Sequence, residues 1–193
     1  MRLVLASASP RRCEILKNAG YSFEICPADI DENITEDLKP SGVVGTLSKQ
    51  KAKAVFEKIE NKQDVAVLGS DTIVALNGQI LGKPKNEEEA FSMLRQLSGK
   101  THEVYTGVCI VTSSCTQSFF DCTAVEFQGL SDDQIRAYIS TGEPMDKAGA
   151  YGIQGKGCVL IKGINGDFFS VMGLPIAKTA KMLKDIGIQG EIK

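Results

Sequence analysis

The stretch Val65-Ala66-Val67-Leu68-Gly69-Ser70-Asp71-Thr72-Ile73-Val74-Ala75-Leu76, followed by Asn77-Gly78-Gln79-Ile80-Leu81-Gly82, decides the fold. Its first twelve residues are largely apolar and rich in β-branched side chains, so they read as one long strand buried on both faces. Asn77-Gly78 supplies two residues that accept positive φ, which predicts a tight hairpin into a second strand at 79–82. A hairpin set among alternating strands and helices predicts a mixed sheet.

Working outward, the pattern gives a strand near 2–6, a helix over 10–19, a strand over 21–27 and a long helix within 40–59. After the hairpin, Asn86 and Glu89 cap a helix that runs to Leu97 ahead of Gly99. Two β-rich runs follow at 102–113 and 117–128, and Ser131 opens a helix to Ile139. Residues 142–157 read as a glycine-rich loop, 158–171 as two strands turned at Asn165-Gly166, and Pro175 as the start of a last helix to about 185. The class is α/β, a mixed twisted sheet with flanking helices. With 193 residues, 42% of them hydrophobic and only six prolines, residues 1–193 form a single domain, or two closely joined lobes, with a substantial core.

The charge balance excludes some partners. Its 22 basic and 24 acidic residues are spread along the chain, so no basic tail or stripe points to nucleic acid. No apolar run approaches a membrane span, and Leu3-Val4-Leu5-Ala6 is too short for a signal-peptide core, so a cytoplasmic chain is expected. The six cysteines form no Cys-x-x-Cys pair and read as reduced, mostly buried thiols. The one histidine, His102, reads as structural, which leaves hard oxygen ligands and a divalent ion such as Mg²⁺ as the natural metal chemistry.

Several residues break the pattern of a simple core. Ser7-Ala8-Ser9-Pro10-Arg11-Arg12 joins the first strand to a helix, with Ser9 at the N-cap position, Pro10 at the first helical one and two guanidinium groups. Helix N–H groups and an arginine fork suit phosphate oxygens, so a phosphorylated ligand is the first hypothesis. Lys51 shares the apolar face of the long helix with Val44, Leu47, Ala54 and Val55. Its ammonium must therefore snorkel to water or meet an anion. Asp71 stands in mid-strand with no local solvated face, which calls for a metal, a basic partner or catalytic use, and Gly69 allows another backbone or a ligand to come close. Lys83, at the end of the hairpin, is a second inward-facing candidate. Asp29-Ile30-Asp31-Glu32 groups carboxylates that suit a hard cation. In Asp146-Lys147-Ala148-Gly149-Ala150-Tyr151-Gly152-Ile153-Gln154-Gly155-Lys156-Gly157, four glycines allow close approach to a flat ligand, and the Gln154 amide offers the donor and acceptor that a pyrimidine edge needs.

These segments, together with Thr101-His102-Glu103-Val104-Tyr105-Thr106, follow one another in the order seen in the Maf family, which the chain resembles over essentially its whole length. The resemblance implies a fold similar to inosine triphosphate pyrophosphatases, two lobes around a deep cleft, and a homodimer. It implies hydrolysis of nucleoside triphosphates between the α and β phosphates with a divalent cation, Mg²⁺ or Mn²⁺. Position by position, Asp71 matches the catalytic carboxylate, and Ser7, Arg12, Lys51 and Lys83 match phosphate-binding groups. Glu32 matches a metal-site residue, shared with Asp71, and Arg11, Thr72 and Gln154 match the branch acting on dTTP and UTP. The competing expectations are a nucleotide- or partner-binding regulator that restrains septum formation, which has little need of a buried aspartate, and a nucleic-acid binder, which would need a basic face and stacking aromatics.

Overall fold

The computed structural model describes residues 1–32 and 38–191. Among the described residues seven strands form one mixed sheet: β1 (Arg2–Leu5), β2 (Glu24–Ile25), β3 (Val65–Leu76), β4 (Gln79–Leu81), β5 (Thr101–Val111), β6 (Thr116–Phe127) and β7 (Ile161–Asn165). The order is β2-β1-β3-β5-β6-β7, with β4 paired to β3 outside that path. β1 runs parallel to β2 and β3, whereas β3–β4 and β6–β7 are antiparallel, so the sheet is mixed as the hairpin predicts. Asn77 and Gly78 carry φ of 51° and 83°, both positive as a two-residue hairpin turn requires.

The helices are α1 (Pro10–Asn18), α2 (Pro40–Lys58), α3 (Glu87–Leu97), α4 (Asp132–Ile139), α5 (Phe168–Met172) and α6 (Ile176–Asp185). Asn86 caps α3 by accepting from Glu89 N–H at 2.8 Å, and Ser131 and Gln134 form a full capping box on α4. Among the described residues no helix is long and apolar enough to cross a membrane.

The chain divides into two compact units. The first holds Met1–Asp71, Thr106–Asp121 and Gly173–Lys193, and part of its core is Val4, Val65, Val67, Cys109 and Val111 against Ala52 and Val55 of α2. Two glycines let α2 lie directly on the strands of this unit. A Cβ on Gly69 of β3 would stand 2.3 Å from the Ser48 carbonyl oxygen, and one on Gly107 of β5 would stand 2.2 Å from that of Val44. The close approach anticipated at Gly69 is therefore that of a helix backbone. The second unit holds Thr72–Tyr105 and Cys122–Met172. Its core gathers Leu94 and Leu97 of α3, Val125 and Phe127 of β6, and Ile135 of α4.

Three expectations need correction. Residues 158–171 are not two strands. A 3-10 helix covers Gly155–Leu160, only 161–165 is strand, and Asp167 then caps α5 by accepting from the Phe169 N–H at 2.8 Å. Ser9 occupies the N-cap position of α1 but its side chain caps nothing; its N–H instead donates to Ser7 Oγ at 3.2 Å. Of the cysteines only Cys109 is buried, while Cys122 and Cys158 are exposed. The alternation of β6 explains Cys122, since it turns Asp121 and Thr123 inward and the residue between them outward.

Candidate active site

The first unit holds six of the residues singled out from the sequence, Ser7, Arg11, Arg12, Glu32, Lys51 and Asp71. The direct packing of α2 on Gly69 sets the geometry. Gly69 and Asp71 share one face of β3, so the side chain two residues beyond the glycine meets the same helix. Lys51 lies on α2 between Ser48 and Ala52, the residues that contact Gly69, and its Nζ donates to Asp71 Oδ1 at 2.6 Å. The lysine is 8% exposed and the aspartate 6%. Thus the inward lysine meets an anion, and that anion is the mid-strand carboxylate. Glu32, half exposed, places its Oε1 2.7 Å from the same Nζ.

Arg12, on the first turn of α1, is fixed by two acceptors. Its Nε donates to the Gly173 carbonyl at 2.8 Å and its Nη1 to Ser7 Oγ at 3.1 Å. Ser7 is buried at the end of β1 and also receives the Ser9 N–H, so it organises the turn between strand and helix. Burial lowers the Arg12 pKa from its ordinary value, Asp71 and Glu32 raise it, and neighbouring Arg11 lowers it further. Two carboxylates and two cations therefore sense one another in this corner of the unit. Arg11 is partly buried beside it.

Sequence reasoning missed two members of this group. Ser70 is fully buried on the opposite face of β3 from Asp71, and its hydroxyl donates to the Gly173 carbonyl at 2.9 Å. That carbonyl therefore receives both Ser70 and Arg12. Gly173 has φ of 117°, which favours glycine, and this is the only local hint of its role.

The remaining candidates lie in the second unit. Thr72 is partly buried on β3. Lys83 is exposed and not inward, because Pro84 beside it takes the buried place after β4. The glycine-rich segment docks on the same hairpin. Gly149 N–H donates to the Gly82 carbonyl at 3.0 Å, and a Cβ on Gly149 would stand 2.9 Å from Val74 Cγ1. Gln154 is partly buried, and its amide makes no hydrogen bond with a described residue. His102 is structural, as expected. Its Nε2 pairs with the Tyr151 hydroxyl at 2.7 Å, and its ring stands edge-on to Phe127 and Tyr151.

Glu32 and Asp71 each place an oxygen on the Lys51 ammonium, so two hard oxygen donors of the kind that suits a divalent cation stand side by side, with the lysine between them. Among the described residues no group of three or more His, Cys, Asp or Glu side chains is gathered to form a closed metal cage. The arrangement can bind an anion with Arg12 and Lys51 while presenting a carboxylate to a water beside it.

The family model described as Maf-like protein matches residues 2–186. The dTTP/UTP pyrophosphatase of Bacillus thuringiensis subsp. konkukian is 50% identical over 187 residues, covering 97% of this chain and 96% of the relative. The protein of the same name from Bacillus mycoides is 50% identical over 95% of this chain and 94% of its own length. Among solved structures, a nucleoside-triphosphatase, dITP/XTP pyrophosphatase, from Mycobacterium abscessus aligns with a TM-score of 0.46 and 13% identity over 98% of this chain and 100% of that one. The Staphylococcus aureus Ham1 protein aligns at 0.42 and 16% identity over 66% and 72%. The family model spans nearly the whole chain and the Bacillus relatives match half of its residues, so the chain belongs to the Maf family.

Proposed function

We propose that this chain is a nucleoside triphosphate pyrophosphatase that hydrolyses dTTP and UTP to the monophosphate and pyrophosphate. The observation that carries the reading is the buried Asp71–Lys51 pair with Arg12 and Glu32 beside it, in a chain half identical to enzymes named dTTP/UTP pyrophosphatase. A purely binding regulator of septum formation is not favoured by those relatives.

In this reading Arg12, Lys51 and Lys83 hold the triphosphate, with Ser7 keeping the Arg12 guanidinium in place. Asp71 takes a proton from the attacking water as the water oxygen bonds to the α phosphorus. The bond from that phosphorus to the bridging oxygen breaks, and pyrophosphate leaves with the electron pair. A preorganised set of cations lowers the barrier by meeting the charge as it moves to the leaving group. Glu32 and Asp71 would hold a divalent cation, Mg²⁺ or Mn²⁺, which when bound supplies neutralisation of the triphosphate. Arg11, Thr72 and Gln154 select the base. The reading extends to a cytoplasmic homodimer.

The test is the purified protein with UTP, dTTP, ATP and GTP in the presence of Mg²⁺ or Mn²⁺, with products separated. Release of UMP and pyrophosphate, with both pyrimidines preferred, supports the reading. Release of UDP and orthophosphate, or no hydrolysis at all, overturns it.

A further inference from the structure

The glycines of the 152–157 segment do not wait for a flat ligand; they are wrapped around one carboxylate and one phenol. Glu143 Oε2 accepts from Lys156 N–H at 2.9 Å, and its Oε1 accepts from Gly157 N–H at 3.1 Å and from the Tyr138 hydroxyl at 2.9 Å. The Tyr138 oxygen in turn accepts from Gly152 N–H at 3.1 Å. The backbone is thus held two residues before Gln154 and two and three residues after it.

Sterics explain the residue types. Gly155 has φ of +76°, and a Cβ there would stand 2.7 Å from Glu143 Oε2. A Cβ on Gly157 would stand 2.7 Å from the Tyr138 hydroxyl and 2.3 Å from the Gly152 carbonyl. The backbone that carries this carboxylate is itself anchored. Glu143 N–H donates to Thr141 Oγ1 at 3.2 Å, and the Glu143 carbonyl receives Lys147 Nζ at 3.3 Å. Tyr138 belongs to α4, whose start is fixed by its capping box. In the middle of this clasp Gln154 alone presents an amide with no partner among the described residues.

We infer that Glu143, with Tyr138 as its relay, is a positioning residue for base selection: it clasps the backbone on both sides of Gln154 and so fixes where that amide is presented to the substrate. The inference rests on the reading that Gln154 recognises the pyrimidine. A carboxylate can accept all three of its bonds at once, whereas an amide in its place must aim a donor at a backbone donor. Substitution should therefore move the Gln154 amide without removing any group that touches phosphate.

The test compares wild type, Gln154→Leu, Glu143→Gln and Tyr138→Phe for kcat and KM on UTP and ATP. The expected result for Glu143→Gln is a loss of about tenfold in the ratio of kcat/KM for UTP over ATP, carried by KM for UTP, with ATP turnover unchanged. Tyr138→Phe removes one hydroxyl, keeps the ring, and should lower the same ratio less. A merely structural role lowers turnover of both nucleotides together and overturns the inference. If Gln154→Leu lowers the ratio while Glu143→Gln and Tyr138→Phe leave it intact, the clasp is refuted and the base reading stands. If wild type shows no pyrimidine preference, or Gln154→Leu keeps it, both fall.

Discussion

Lys51 Nζ lies 2.6 Å from Asp71 Oδ1, with side-chain exposures of 10% and 9%, so each is the other's buried counter-charge. The two partners are not equivalent. Lys51 has a second carboxylate at 2.7 Å in Glu32, which is half exposed, whereas Asp71 without the lysine keeps only the more distant charge of Arg12. Removing one member of a buried pair leaves an uncompensated charge, at a typical cost of about 3–5 kcal/mol.

Lys51→Met is therefore expected to destabilise the protein by about 3 kcal/mol, because Asp71 stays behind. A lysine turned inward only to await phosphate would give a neutral or stabilising replacement. Asp71→Asn leaves Lys51 its contact with Glu32 and should cost clearly less. Urea unfolding of both variants checks the order, and equal losses would refute the asymmetry.

Asp71→Asn keeps the size of the side chain but removes the base, so hydrolysis should fall by roughly 10²-fold or more in a protein that still folds. Single-turnover rates at saturating UTP report this step directly. A variant with near-normal turnover would limit Asp71 to its ion pair with Lys51.

The sequence carried the elements whose cause is local. Asn77-Gly78 forms its turn because both residues accept positive φ, and Asn86 and Ser131 cap their helices from three residues away. Lys51 and Asp71 were legible because each violates the apolar pattern of its own element, although their mutual pairing was not, since they lie twenty residues apart on a helix and a strand. Ser70, Gly173 and Glu143 stayed hidden for the same physical reason. Ser70 reaches a carbonyl 103 residues away, and nothing near Glu143 announces the two N–H groups that it collects 13 and 14 residues later. Residues 158–171 misled because apolar β-branched composition is shared by strands and by a 3-10 helix whose first-turn N–H groups, those of Lys156 and Gly157, are received by Glu143.

Gly69→Ala and Gly107→Ala test how α2 is seated. Each added Cβ would fall within 2.4 Å of a carbonyl oxygen of α2, at Ser48 or Val44, and backbone cannot step aside as a flexible side chain does. Each substitution should cost about 2 kcal/mol or more, at the upper end of ordinary overpacking. Because α2 carries Lys51, Gly69→Ala should also lower activity in the fraction that remains folded. Thermal unfolding followed by circular dichroism checks the first point, and a stability change under about 0.5 kcal/mol, the size of a typical surface substitution, would contradict the packing.

His102 supplies a pH dependence with a definite sign. The ring is 2% exposed, and burial lowers its pKa from 6.5 to about 4. Its Nε2 pairs with the Tyr151 hydroxyl, while Nδ1 has no hydrogen-bond partner among the described residues, so nothing near that nitrogen welcomes a proton. The unfolded chain binds a proton as pH falls below 6.5, and the folded chain resists until about 4. Stability from this residue is therefore complete above pH 6.5 and drains away between 6.5 and 4, by an amount on the order of 3 kcal/mol. Glu143 adds to the acid side of the profile. Burial raises its pKa, but the Lys156 and Gly157 N–H groups, Tyr138 and Lys147 outweigh this and hold it below its ordinary value. Its contribution is therefore present above 4.5 and is lost as pH falls further. Measuring the melting temperature from pH 8 to pH 4 separates the two, since His102→Gln should flatten the slope between 6.5 and 4.5, whereas Glu143→Gln, which lowers stability throughout, should change the slope only at the most acid end. A wild-type slope that survives His102→Gln unchanged would assign the loss to other groups.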